Sequence, residues 1–130
     1  MYRAVTRDIE VTVTPVYRPD ESRPDEGRWF WAYEVGIVNG GELAVQLLAR
    51  HWVITDAHGA VQEVRGPGVV GQKPLIGAGE RFDYTSGCPL TTPSGFMQGA
   101  YRMVDELGEV FDIGIPAFPL DVPDARRVLN

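Results

Sequence analysis

The strongest constraint on this chain is a two-residue alternation of apolar and polar side chains. Ile9, Val11 and Val13 fall on one parity while Asp8, Glu10, Thr12 and Thr14 fall on the other. Successive side chains of extended backbone point to opposite faces, so this is the pattern of a strand buried on one side. The alternation returns at Trp29, Trp31, Tyr33, Val35 and Ile37, aromatic and β-branched residues that suit a pleated, packed surface. No segment has helical periodicity beyond a single turn's worth around residues 124–129. A helical core is thereby excluded.

Turn chemistry separates the alternating stretches. Asn39, Gly40 and Gly41 end the tryptophan strand. The next run, Leu43 to Thr55, has Val45 and Leu47 on one parity but Trp52 and Ile54 on the other, so a β-bulge is expected near Ala49 to His51. Asp56 to Gly59 and Asp105 to Gly108, reading DAHG and DELG, predict two hairpins. Between them lie an irregular crossing, Gly66 to Glu80, a strand with Phe82 and Tyr84, and another with Met97, Tyr101 and Met103. A last strand carries Phe111, Ile113 and Ile115 on one face. About seven strands result, and the fold class is all-β, an antiparallel β-sandwich in one domain spanning 1–130. Residues 18–28, RPDESRPDEGR, read as a mobile loop, and 116–130 as a C-terminal tail.

Charge and cysteine usage narrow the function classes. Eighteen acidic against twelve basic residues give a formal net charge of -6, with Lys73 the one lysine. Affinity for phosphate backbones comes mainly from Lys and Arg, so nucleic acid is an unsuitable partner, and no basic stripe favours a membrane surface. No apolar run approaches the ~18 residues that span a bilayer, so no membrane insertion is expected. Cys88 is the only cysteine, a usage suited to a reducing compartment, and the N-terminus has no signal-peptide pattern. A cytoplasmic location is the expectation.

Three segments, HWVITDAHG, EVRGPGVVGQKPLIGAGERFDYTSGCPLTTPSGFMQGAYRMV and FDIGIPAFPL, resemble the ApaG family. They join a tryptophan strand, a GxGxxG loop, YTSGCPL and an MxGxY strand in order, and the likeness covers almost the whole chain. The resemblance implies an immunoglobulin/fibronectin type III-like sandwich. It also implies an accessory link to magnesium efflux and cobalt resistance in bacteria. Similar domains in a eukaryotic F-box protein and a polymerase-interacting protein imply an interaction module. The family offers no established catalytic residues to carry over.

Gly66, Gly68 and Gly71 match the dinucleotide fingerprint, which needs a helix N-terminus behind the loop. Pro67 and Pro74 and the lack of a following helical pattern argue against that context. A nucleotide or pyrophosphate sensor is therefore the alternative reading, and contact with an unidentified protein partner the leading one. The expected surface comprises Gly66, Gly68, Val69, Val70, Gly71, Gln72 and Pro74, with Thr85, Ser86 and Gly87 beside them.

His51, His58 and Cys88 are too few for a closed transition-metal site. Asp105, Glu106, Glu109 and Asp112 crowd one hairpin without EF-hand spacing, which suits at most a weak contact with a divalent cation, magnesium or cobalt. Ser86 and Cys88 lack a nucleophile elbow and a sequence-adjacent histidine, so the chain is expected to be non-enzymatic and to need no cofactor. Phe30, on the opposite parity of its strand, marks either a contact patch with Val38, a strand covered on both faces, or a sheet face for a homo-oligomer.

Overall fold

The computed structural model describes residues 1–123; the turn expected at 124–129 lies outside them. The described residues form nine strands: β1 (Tyr2–Thr6), β2 (Ile9–Tyr17), β3 (Trp29–Asn39), β4 (Val45–Asp56), β5 (Val61–Pro67), β6 (Leu75–Ile76), β7 (Arg81–Leu90), β8 (Ser94–Asp105) and β9 (Val110–Asp121). One sheet has the order β1-β2-β3-β7; the other has β5-β4-β8-β9, with β6 on the first residues of β4. The expected sandwich is present, with two strands more than expected. Neither extra strand has a conventional signal. The β1–β2 turn uses Arg7 and Asp8 at φ 48° and 63° in place of glycine, and β6 has two residues.

Inward parity builds the core. Ile9, Val11 and Val13 of β2 and Trp31, Tyr33, Val35 and Ile37 of β3 face Trp52, Ile54, Met97, Tyr101, Met103, Ile113 and Phe118 of the other sheet, all buried. Trp52 is the hub, with ring centroids 5.2 Å from Tyr33, 6.0 Å from Phe118 and 6.3 Å from Tyr101. Its contacts with Phe118 and Tyr101 are edge-on, a favoured geometry for aromatic quadrupoles.

Both predicted hairpins form by the same device. The first aspartate's carboxylate accepts two backbone N–H groups, His58 and Ala60 at Asp56, and Leu107 and Glu109 at Asp105. Gly59 and Gly108 then take φ 84° and 85°. The expected bulge is also present, but at Leu48, between Leu47 and Ala49 in the pairing with β8.

Two segments carry more regular structure than expected. Residues 18–28 are organised as two 3₁₀ turns, Pro19–Glu21 and Pro24–Glu26, each begun by a proline whose fixed φ suits that position. Buried Ser22 ties them down, its Oγ donating to Arg18 O at 2.8 Å and accepting from Phe30 N at 2.9 Å. The 116–130 tail begins inside a strand, because β9 continues to Asp121. β9 is an edge strand, where Pro116 and Pro119 are tolerated. Phe118 and Leu120 are buried, and Trp31 Nε1 donates to Asp121 O at 2.9 Å.

The two edges of the sandwich differ. On one side β1 and β2 pack on β9, reinforced by Gly114 N donating to Thr6 Oγ1 and by Arg7 over the Phe111 ring at 4.3 Å. On the other side the edge strands β7 and β5 stand apart.

The phenols of Tyr84 and Tyr101 hydrogen-bond to each other across the two sheets. Burial is the main cause that raises both acidities' pKa values, Tyr101's well above the ordinary value. An unfolded chain releases these protons near about pH 10, whereas the fold retains them. Stability is therefore full below about pH 10 and declines as pH rises past it. Urea midpoints followed from about pH 8 to about pH 11 should fall at the alkaline end. The Tyr84→Phe/Tyr101→Phe variant should show a shallower decline; an equally steep one would refute this assignment.

Candidate binding cleft between the open sheet edges

The cleft owes its character to the bulge at Leu48. Before it, Val45 and Leu47 face inward; after it Trp52 and Ile54 do, and Arg50 shares their parity. An arginine is thereby turned toward the inside of the sandwich. Its partner across the β4–β5 ladder is Gly66. A Cβ on Gly66 would sit 2.9–3.0 Å from Nη2, Cζ and Nη1 of Arg50 together, so the guanidinium lies flat on the bare glycine. Nη1 donates to Pro67 O at 2.9 Å and Gly68 O at 3.0 Å.

The loop beyond β5 is a tight reversal, with Val69 N donating to Gln72 O and Gln72 N to Val69 O, both at 2.8 Å. Gly68 (φ 59°) is fixed by the close approach of Gln72 O, which any Cβ would strike. Its N–H donates to Leu48 O at 2.9 Å, joining the loop to the bulge. Gly71 (φ 78°) occupies the left-handed position with free space around it. The three fingerprint glycines thus have separate backbone duties. The chain beyond them enters β6, so no helix N-terminus stands behind the loop.

The structure brings part of the expected surface together and separates the rest. Val70, Gly71 and Ser86 line one cavity of about 200 Å³ with Arg50, Tyr33 and Tyr84. A neighbouring cavity of about 220 Å³ shares Arg50, Tyr33 and Ser86 and is bordered by Gln62, Val64 and Cys88. Val69 and Gly68 are buried and offer no contact surface. Gln72 is exposed on the turn, and Pro74 is half-buried, its carbonyl accepting from Leu47 N. Thr85 and Gly87 lie on the opposite parity to Ser86, and the Phe30 ring covers Gly87. Phe30 is consequently half-buried instead of forming an isolated patch.

Arg50, Tyr33, Tyr84, Gln62 and Val64 are among the cleft residues that sequence reasoning missed. Arg50's shared parity with Trp52 and Ile54 was the available signal.

The other candidates are dispersed. His51 faces the outside of its sheet, with Nε2 2.8 Å from Glu63 Oε1; this hydrogen bond is the main cause that lowers the Glu63 pKa. His58 is exposed in the β4–β5 turn. Neither histidine shares a face with Ser86 and Cys88, which point inward from β7. Asp105 caps its turn, Glu106 accepts from Ala44 N, Glu109 pairs with Arg7 and Asp112 with Arg102. Among the described residues no three His, Cys, Asp or Glu side chains gather as a metal site would require. Also among them, no helix is long and apolar enough to cross a membrane.

The ApaG domain model matches residues 19–105, which include the bulge, the glycine loop and β7. A protein of Afipia carboxidovorans called Protein ApaG is 63% identical over the whole of both chains. The chain belongs to the ApaG family. Another Protein ApaG, from a Bradyrhizobium strain, is 62% identical over the same full length. Among solved structures, the putative ApaA protein of Bordetella pertussis superposes with a TM-score of 0.87 at 50% identity, covering 91% of this chain and 96% of that one. The two-sheet architecture of this ApaG-family chain also resembles the C-terminal domain of wzt, with a TM-score of 0.58 at 10% identity over 95% of this chain and 78% of the other, a likeness of fold alone.

Two outcomes follow for the cleft. Val70 holds φ 43°, a conformation that costs a non-glycine residue about 1–2 kcal/mol and suits a β-branched one least. Val70→Asn should therefore raise stability by about 1 kcal/mol, read as a higher urea midpoint. A lower midpoint would contradict the strain. Cys88, its thiol pushed up to about 11 by burial, should resist iodoacetamide at mildly alkaline pH in the native protein and react promptly in denaturant. Rapid native alkylation would show that the thiol is reachable and ionised.

Proposed function

We propose that this ApaG-family chain is a non-enzymatic binding module that receives a protein partner along the side where β5 and β7 stand apart. The observation that carries this reading is the coincidence there of two uncovered sheet edges, a pair of adjoining cavities and an exposed loop. Unpaired strand edges are ready templates for another chain, and the cavities beside them would take its alternate side chains. Val70 is 50% exposed and Leu75 71% exposed, giving the Gly66–Ile76 segment apolar contact surface.

A pyrophosphate sensor is less well supported, because the glycines have other duties and one guanidinium is poorly matched to several phosphate charges. The link to magnesium and cobalt handling that the family resemblance implies is read as indirect. The β8–β9 carboxylates are engaged by Arg7, Arg102 and backbone N–H groups, which favours an accessory role over cation binding. A cytoplasmic setting accords with the lone buried Cys88.

Affinity purification from the native cell, with cross-linking and mass spectrometry, tests the module. Replacing Gly68 is unsuitable, since a side chain there strikes Gln72 O. Val70→Asp/Leu75→Asp instead alters two exposed side chains. The double variant should remain folded and lose the partner recovered with the unaltered chain. Undiminished recovery would reject this surface.

A further inference from the structure

A guanidinium has five N–H donors. Nη1 of Arg50 spends its two on Pro67 O and Gly68 O. The remaining three, on Nε and Nη2, have no protein acceptor among the described residues. Nor does any carboxylate there pair with Arg50; Arg3, Arg7, Arg18, Arg65, Arg81 and Arg102 all have one, while Arg23 and Arg28, which also lack one, are exposed and lie outside this cleft. The Nε–Nη2 edge is the fork that matches two oxygens of an oxyanion. The flat seat on Gly66 and the two carbonyls hold the group in place, so little is lost on ordering it when a ligand binds.

The surrounding walls indicate which oxyanion fits. Arg50 borders both cavities with Tyr33, Trp52 and Ser86, and the accessible apolar lining is Val70 in one and Val64 in the other. A mixed lining, with Ser86, Gln62 and tyrosine hydroxyls beside Val64 and Val70 and a single cation, suits a singly charged head on a small, partly apolar body. A phosphate or pyrophosphate brings more charge than one guanidinium offsets, in a chain whose formal net charge is already -6.

We infer that the cleft between β5 and β7 is a carboxylate-binding site, in which Arg50 grips the carboxylate through its Nε–Nη2 edge. The ligand's apolar part lies against the exposed Val70 and the half-buried Val64, within reach of the Ser86 hydroxyl. The location rests on the binding-module reading, but the chemistry can be measured without any protein partner. Such a carboxylate belongs either to a small organic acid or to the C-terminus of a partner chain.

Amide and Arg Nε–H NMR of the full chain, titrated separately with sodium benzoate, N-acetylleucine, N-acetylleucinamide and sodium pyrophosphate, tests this. At least one of the two carboxylates should give saturable shifts centred on Arg50, Val70, Gly71 and Ser86. A response to benzoate alone identifies the small-acid source, and one to N-acetylleucine alone the chain terminus. N-acetylleucinamide should give none. Arg50→Gln should weaken binding about tenfold or more, and Arg50→Lys should restore only part because the fork is lost.

If loss of Arg50 unsettles the loop, Ser86→Leu fills the cavity with Arg50 intact and should abolish the shifts in a folded protein. No saturable response to either carboxylate, equal response to N-acetylleucinamide, or tighter binding of pyrophosphate would overturn the assignment. Carboxylate binding with an unaffected partner pull-down in Val70→Asp/Leu75→Asp would reject the interaction surface and leave this site standing. A lost partner with no carboxylate response would do the reverse.

Discussion

The register shift at Leu48 is the constraint on which the rest of this sandwich depends. Without it, the parity that buries Val45 and Leu47 would expose Trp52, the hub of the aromatic core, and one slipped residue exchanges the faces of everything that follows. With it, both halves of β4 turn their large apolar side chains to the core, and the carbonyl of Leu48 is available to the N–H of Gly68. The same shift turns Arg50 inward. Core formation and the placing of a cation inside the cleft are thus consequences of one backbone irregularity.

The sandwich is sealed along one edge and parted along the other. β9 closes against β1 and β2, with Arg7 bridging to Phe111 and Glu109. Opposite, Arg50 stands where a closed sandwich would place an apolar side chain, and its charge keeps company with Tyr33, Ser86 and backbone carbonyls. Burying an arginine fully without a counter-charge is costly, and the parted edge leaves its spare donors within reach of solvent or a ligand. The physical requirement of the cation and the shape of the cleft agree.

Much of the fold was legible because its signals are local. The DAHG and DELG hairpins carry both an acceptor aspartate and a left-handed glycine, and alternation through Ile9–Thr14 and Trp29–Ile37 assigns faces without tertiary information. β1 was not legible, since Arg7 and Asp8 make its turn without glycine. The continuation of β9 through 116–121 was not legible either, since Pro116 and Pro119 fit a strand only at a sheet edge. The glycine pattern was read as one loop with one purpose. In the fold, Gly66 seats Arg50, Gly68 admits a carbonyl, and Gly71 supplies a turn angle. That division depends on β4 lying alongside, which no linear spacing reveals.

The placement of Arg50 joins the aromatic core to the cleft. Edited NOE spectroscopy of the Arg50 side chain examines it directly. Cross-peaks are expected from the Arg50 δ protons to Gly66 Hα and to Tyr33 or Ser86, across the cleft. Cross-peaks confined to outer-face neighbours such as His51 and Arg102 would contradict the inward turn at Leu48 and everything built on it.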